Sequence, residues 1–141
     1  MTKDSLSISV VIVTLDRAES VRDVLDCLVR QTRQPDEVIV VDNGSKDNTK
    51  EVVSSFDGRL NIKYVYEEAR GIPFARNAGV RNATGDIIAF IDDDCIADEN
   101  WLKYIEIPFI RDPNVGVVGG DLSYLEKGES ILEKFHKRYM R

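Results

Sequence analysis

The chain has 141 residues, of which 43% are hydrophobic and 31% charged, and its formal net charge is −6. This composition suits one globular domain over residues 1–141 and argues against a disordered chain. The acidic balance argues against nucleic-acid binding, which needs clustered lysine and arginine. The opening residues do not resemble a signal peptide, and Cys27 and Cys95 show no disulfide framework. We therefore expect a cytoplasmic protein.

Apolar segments of two periodicities alternate along the chain. Near-continuous β-branched runs predict buried strands, and apolar residues at helical spacing predict helices. The predicted strands are Ser7–Leu15, Asp36–Asp42, Asn61–Glu67, Asp86–Asp92 and Val115–Gly119, and the predicted helices are Ala18–Gln31, Asp47–Phe56, Phe74–Ala83 and Glu99–Phe109. Gly85 is expected to cap the third helix. The alternation predicts an α/β fold with a mostly parallel sheet and helices on both faces.

Acidic residues stand at the carboxyl ends of three predicted strands. The first strand runs into Asp16, the second ends at Asp42, and the fourth runs into Asp92–Asp94. In a parallel sheet these ends lie at one edge, where ligands of open α/β sheets bind. The sequence thus predicts a single acidic site at that edge.

The acidic triplet has the spacing of a cation site. Residues two apart on an extended segment face the same side, so Asp92 and Asp94 point together. Two carboxylates about 5–6 Å apart repel by roughly 3 kcal/mol at an effective dielectric constant near 20. A divalent cation offsets this repulsion, and Mg²⁺ is usually held by one or two carboxylates together with substrate phosphates. The alternative is a solvated acidic loop in which Asp98 caps the next helix.

Two further segments carry polar residues that fit either a structural role or a role in binding a ligand. The DNGS stretch after the second strand is typical of a turn, in which Ser45 or Asp47 caps the next helix. Asp42 is not needed for such a turn, and its carboxylate could accept a hydrogen bond from the imide N–H of a pyrimidine. Arg76 has the planar geometry that suits a diphosphate, or it forms a salt bridge to the clustered aspartates.

Four segments together resemble the inverting family-2 glycosyltransferases of the GT-A fold, a Rossmann-like α/β architecture. They are SVVIVTLDR, QTRQPDEVIVVDNGSKDNT, GIPFARNAGVRNATGDIIAFIDDDC and VGVVGG, and they cover about residues 7–121 in the family's order. The resemblance implies a nucleotide-sugar site formed by Thr14, Leu15, Asp16, Arg17, Asp42, Asn43, Arg76, Asp92 and Asp93, with Asp94 and Asp92 as ligands of Mn²⁺ or Mg²⁺.

The resemblance also implies a role for several of these residues. Asp42 would hold the base, typically uracil, and Arg76 would lie near the diphosphate. Asp92 and Asp93 would contact the ribose or the donor sugar. The chain departs from the pattern at Leu15, where an aromatic residue is frequent, at Asp16, where asparagine is common, and at Cys95, where an acid is frequent. Leu15 leaves the identity of the base open.

The activity implied by the resemblance is metal-dependent transfer of a sugar from a nucleotide sugar to an acceptor hydroxyl, on a glycan or a lipid-linked sugar. No residue fits the family's carboxylate general base, so the chain resembles the donor-binding part, truncated before the acceptor-binding half. The core is expected at residues 7–121. Residues 122–141 are expected to form a basic helix that could touch the inner face of a membrane peripherally.

Other functions fit the same residues less fully. A non-catalytic module that binds nucleotide and metal would need no general base. A phosphoacceptor domain also places aspartates at strand ends, but it needs a lysine after its last strand, and none follows VGVVGG closely. A nucleotidyltransferase would have a glycine-rich phosphate loop after the first strand, where this chain has TLDRAES.

Overall fold

The predicted alternation of strands and helices is present in the computed structural model, which describes residues 5–122. The strands are β1 (Ile8–Thr14), β2 (Glu37–Asp42), β3 (Ile62–Tyr66) and β4 (Ile87–Phe90), and the helices are α1 (Ala18–Val29), α2 (Thr49–Ser54), α3 (Ile72–Asn82) and α4 (Trp101–Arg111). The strands form one sheet in the order β3-β2-β1-β4, and every pair is parallel. The predicted α/β class is therefore confirmed.

The strand order places a crevice beside β1. The chain builds β1, β2 and β3 outward in one direction and then returns to place β4 on the other side of β1. Helices α1 and α2 pack on one face of the sheet, and α3, which leads back to β4, packs on the other face. In open α/β sheets a crevice forms at the carboxyl ends of the strands where the order reverses. Thr14, Asp42 and Tyr66 lie in register across this edge of the sheet.

Helices cover both faces of the sheet because β1 is apolar on both of its faces. Val10 and Ile12 belong to the larger core cluster, with residues of α1, α2 and α4. Val11 faces the other way and packs with Ala75 and Ala78 of α3. Alternating side chains of one strand thus anchor α1 and α3 on opposite sides.

Helix α3 lies unusually close to the sheet. Ala75, Ala78 and Gly79 are buried on its inner face. A Cβ atom added to Gly79 would lie 2.4 Å from Cγ1 of Val11, which is far inside van der Waals contact. Small side chains on this face therefore set the distance between α3 and β1.

A charged network ties the amino-terminal side of the sheet to α4. Arg33, in the connection between α1 and β2, pairs with Asp36 at 2.9 Å and with Glu106 of α4 at 3.3 Å. It also donates to the carbonyl oxygen of Leu6. Glu106 in turn accepts a 2.9 Å hydrogen bond from the Leu6 N–H. One arginine thereby joins three segments that are distant in sequence.

This network is expected to make stability depend on acid pH. Burial raises the pKa of Glu106, but hydrogen bonds from Arg33 and Leu6 lower it by more, so the pKa lies below its usual range. A depressed pKa means that the unfolded chain binds more protons, so the stabilisation is present above about pH 4.3 and is lost as the pH falls through the folded-state value. Urea unfolding at pH 7 and pH 3.5 should show this loss, and Glu106→Gln should reduce it, whereas the exposed control Glu68→Gln should not. Equal pH dependence in all three proteins would contradict the assignment.

Three local predictions were wrong. No strand is assigned at Val115–Gly119 within residues 5–122, since no strand of the sheet pairs with this segment, and Val117 is 90% exposed. The fourth strand ends at Phe90, before the aspartates. Gly85 does not cap α3, whose cap is Ala83. A Cβ at Gly85 would instead lie 2.7 Å from the backbone nitrogen of Ser9, so close packing explains this glycine.

The predicted basic helix falls on residues 122–141, and all of these except Leu122 lie outside the described part of the chain. Its proposed membrane contact remains a prediction, as does the cytoplasmic location. Within residues 5–122, no helix has both the length and the apolar character that a membrane span requires.

Candidate active site

A cavity of about 490 Å³ opens at the carboxyl ends of β1 and β2, between α3 and the acidic loop that follows β4. The predicted site residues that line it are Thr14, Leu15, Arg17, Asn43, Arg76, Asp92, Asp93 and Asp94. Four further residues line it that were not predicted, namely Val13, Arg70, Gly71 and Ile72. Asp16 and Asp42 stand next to lining residues in the chain but are not among them.

Asp93 is the buried member of the acidic triplet. Its Oδ2 accepts a 2.8 Å hydrogen bond from Oγ1 of Thr14, at the end of β1. Its Oδ1 lies 3.2 Å from Nη1 of Arg17. Both carboxylate oxygens therefore have a partner, and the acidic loop is fastened to β1 through them. Asp93 is suited to holding the loop in place and to presenting a fixed negative charge beside the cavity.

Asp92 and Asp94 are exposed and lie close together, but not for the predicted reason, since β4 ends at Phe90 and Asp93 and Asp94 lie in a turn rather than on an extended segment. One carboxylate oxygen from each, together with the sulfur of Cys95, lie within 4.8 Å of one another. Burial, followed by the charges of Asp92 and Asp94, raises the pKa of the Cys95 thiol. A protonated thiol is a poor ligand, so the two carboxylates are the effective donors at neutral pH. This donor set suits a hard cation such as Mg²⁺ or Mn²⁺.

Two arginines balance the acidic loop from opposite sides. Nη1 of Arg17 lies 3.2 Å from Oδ2 of Asp94, and Nη2 of Arg76 lies 3.7 Å from Oδ1 of Asp92. The charge of Asp93, followed by that of Asp94, raises the pKa of Arg17. The salt bridge that the sequence offered for Arg76 is therefore present at the cavity wall, and its predicted contact with a diphosphate stays a prediction.

Asp42 closes the turn after β2. Its Oδ1 accepts hydrogen bonds from the N–H groups of Gly44 (3.1 Å) and Ser45 (2.7 Å). Its Oδ2 accepts a 2.7 Å hydrogen bond from the hydroxyl of Tyr64 on β3, and burial together with this bond raises the pKa of Tyr64. The expectation that the turn does not need Asp42 is wrong, because both N–H groups that close the turn donate to its carboxylate. Its predicted contact with a base stays a prediction.

Asn43 organises the loop that forms one wall of the cavity. Its side-chain N–H₂ donates to the carbonyl oxygens of Glu67 and Ala69, and its Oδ1 accepts from the N–H of Gly71. Gly71 has φ of 130°, a conformation that L side chains rarely adopt. This loop brings Arg70 and Ile72 to the cavity, and both were missed because no local pattern marks a loop residue whose position is set by a distant asparagine.

Asp16 has a structural role next to the cavity. Its φ is 52°, in the left-handed region that aspartate and asparagine tolerate better than other non-glycine residues. Its Oδ1 accepts a 2.6 Å hydrogen bond from the Lys46 N–H, and its own N–H donates to Oγ of Ser45. Asp16 therefore joins the loops that follow β1 and β2, and it fixes the backbone from which Arg17 enters the cavity.

Comparison with known proteins decides the family. The model of the family Glycosyl transferase family 2 matches residues 9–136, which is most of the chain. The chain belongs to glycosyltransferase family 2. The predicted family is thereby confirmed.

The relatives of this family-2 chain are longer proteins. It is 35% identical over 140 residues to glycosyltransferase AglE of Haloferax volcanii, a match that covers 96% of this chain and 46% of AglE. The chain thus spans less than half the length of that relative. This agrees with the expectation that it corresponds to the amino-terminal part of the family's proteins.

Solved structures confirm the GT-A fold. Staphylococcus aureus TarS 1-349, in complex with UDP, superposes with a TM-score of 0.68 at 29% identity, covering 74% of this chain and 32% of TarS. The mannosyltransferase PcManGT from Pyrobaculum calidifontis, in complex with GDP-Man and Mn²⁺, gives a TM-score of 0.72 at 28% identity, covering 82% of this chain and 35% of that protein. The neighbours therefore bind nucleotides or nucleotide sugars with different bases.

Proposed function

We propose that this chain is the nucleotide-sugar-binding part of an inverting, metal-dependent glycosyltransferase that uses a UDP-sugar. One observation carries the proposal. A single cavity at the carboxyl ends of the strands is lined by three arginines (Arg17, Arg70 and Arg76) and by the paired carboxylates of Asp92 and Asp94. Guanidinium groups match the charge of a diphosphate, and paired carboxylates match the cation that usually accompanies it.

The two exposed carboxylates are the groups that would hold Mn²⁺ or Mg²⁺. A divalent cation bound there would neutralise negative charge that develops on the departing nucleoside diphosphate. Arg76 enters the cavity from α3 and, with its guanidinium half exposed, is placed to orient the diphosphate by charge-assisted hydrogen bonds. Asp93 keeps the acidic loop fixed during binding, since its bond to Thr14 joins that loop to the sheet. The presence of Mn²⁺ in the complex of the structurally similar PcManGT supports this part of the proposal.

The choice of uracil rests on Asp42 and on the TarS complex with UDP. A carboxylate oxygen has two lone pairs, so Oδ2 of Asp42 can accept one hydrogen bond in addition to that from Tyr64. However, Asp42 is only 2% exposed, so a base reaches it only if residues around it rearrange. Leu15 is 39% exposed at the cavity and offers an apolar surface, but not the stacking surface of an aromatic ring.

Sugar transfer itself requires groups that we do not place among residues 5–122. An inverting reaction needs a carboxylate to deprotonate the acceptor hydroxyl. All carboxylates lining the cavity belong to the acidic loop, where Asp93 is committed to Thr14 and Arg17 and the other two form the cation site. Following the family, we propose that the acceptor is a glycan or a lipid-linked sugar.

Titration calorimetry with UDP tests the proposed function. We expect UDP to bind in the presence of Mn²⁺ and to lose most of its affinity, by about 10-fold or more, when EDTA removes the metal. GDP has the same diphosphate and is the control for recognition of the base, so it should bind more weakly than UDP. A chain that is folded by circular dichroism and binds neither nucleotide with Mn²⁺ would contradict the proposal. Equal affinity for both would contradict only the choice of uracil.

A further inference from the structure

Arg17 occupies an unusual position between the fold and the cation site. A single nitrogen, Nη1, lies 3.2 Å from both Asp93 and Asp94. The two carboxylates differ in their surroundings, since the Asp93 side chain is 9% exposed and that of Asp94 is 62% exposed. Asp93 has a second partner, since its Oδ2 accepts a hydrogen bond from Thr14. Asp94, in contrast, has Arg17 as its one ion-pair partner among residues 5–122.

The backbone next to Arg17 is held in place, whereas the Arg17 side chain extends into solvent. Arg17 stands just before α1 and makes no side-chain capping bond to that helix. The neighbouring Asp16 is held by Ser45 and Lys46, which fixes the point from which the side chain starts. About half of the Arg17 side chain is exposed to solvent. It can therefore exchange one anionic partner in the cavity for another without a change in the fold.

We propose that Arg17 acts as a built-in positive charge at the metal site. Its guanidinium neutralises Asp94 until a divalent metal ion binds that carboxylate, and it then binds the diphosphate. Two cations at one carboxylate repel each other, so metal binding and the Arg17–Asp94 pair oppose each other. The released guanidinium remains in the same cavity, where a diphosphate is the next available anion. Arg17 would thus couple metal binding to nucleotide binding, and by reciprocity each ligand would strengthen the other. This inference rests on the proposed function and adds to it the way in which the two ligands depend on each other.

The test measures Mn²⁺ and UDP separately for the protein and for Arg17→Gln. The electron paramagnetic resonance signal of free Mn²⁺ reports metal binding without nucleotide, and calorimetry at saturating Mn²⁺ reports UDP binding. We expect Arg17→Gln to bind Mn²⁺ alone about 2–5-fold more tightly, because an exposed competing ion pair is lost. We expect the same variant to bind UDP with Mn²⁺ about 10-fold more weakly, because a charged hydrogen-bond donor is lost. A variant that merely damages the fold would weaken both.

Arg70→Gln is the matched control. Arg70 lines the same cavity and carries the same charge, but it forms no ion pair with a carboxylate in the described part of the chain. Removing it should change the affinity for Mn²⁺ alone less than Arg17→Gln does. The inference is overturned if Arg17→Gln leaves the affinity for Mn²⁺ alone unchanged or lowers it, or if Arg70→Gln raises it equally. If the unaltered protein still binds UDP with Mn²⁺ in those cases, the proposed function stands. If the unaltered protein binds neither UDP nor Mn²⁺, the proposed function and this inference both fail.

Discussion

Replacing Asp94 with asparagine is expected to abolish Mn²⁺-dependent binding of UDP and to leave the fold intact. The side chain is 62% exposed and its ionic contact in the described structure is with Arg17 alone, so stability should change by no more than about 0.5 kcal/mol. Changing an outer partner of a metal ligand already costs about 10–100-fold in metal affinity, and we expect the loss of a ligand itself to cost more than about 100-fold. Calorimetry with UDP and Mn²⁺, paired with urea unfolding, measures both effects.

Two neighbouring substitutions make this prediction specific. Asp98→Asn removes the same charge four residues away, outside the cavity, and should leave UDP binding unchanged. Asp93→Asn should instead lower stability by about 1–3 kcal/mol, because an amide offers one acceptor oxygen where both Thr14 and Arg17 donate, and one partner is left unsatisfied. UDP binding by Asp94→Asn that equals the unaltered protein, with the same dependence on Mn²⁺, would show that Asp94 does not hold the metal.

The sequence predicts the framework well because its signals are local. Strands buried on both faces of a parallel sheet must be apolar throughout, so β1 and β2 are visible as β-branched runs. The parallel connections then place their carboxyl ends at one edge, which brings Thr14 beside Asp42 on one side and beside the acidic loop on the other. Most of the predicted site residues meet in one cavity for this reason.

What the sequence could not predict depends on partners far along the chain. Asp42 pairs with Tyr64, and Asn43 holds the loop that delivers Arg70, although nothing local marks Tyr64 or Arg70 as part of the site. The predicted strand at Val115–Gly119 is wrong for a different reason. Its composition is that of a strand, but strand formation also requires a neighbouring strand, which composition does not reveal.

The close approach of α3 leads to the second large prediction, that Gly79→Ala destabilises the protein by about 1–3 kcal/mol. At an ordinary helix position the same change would stabilise by roughly 0.5–1 kcal/mol, because alanine is the better helix former. Here the new methyl group would lie 2.4 Å from Cγ1 of Val11, on the buried central strand, so α3 must move away from the sheet. Urea unfolding of the variant, compared with the unaltered protein, measures the sign of the effect.

A double-mutant cycle identifies the cause. Val11→Ala removes the atom that Gly79→Ala would strike, so the second change should cost at least about 0.5 kcal/mol less in the Val11→Ala background. Strict additivity would show that the contact does not set the distance between α3 and β1. The displacement of α3 should also affect the candidate active site, because Arg76 lies one turn before Gly79 on the same helix. The guanidinium of Arg76 is 3.7 Å from Asp92, so a movement away from the sheet would lengthen this contact. Gly79→Ala should therefore weaken UDP binding under conditions where it remains folded, and Val11→Ala should restore part of that loss.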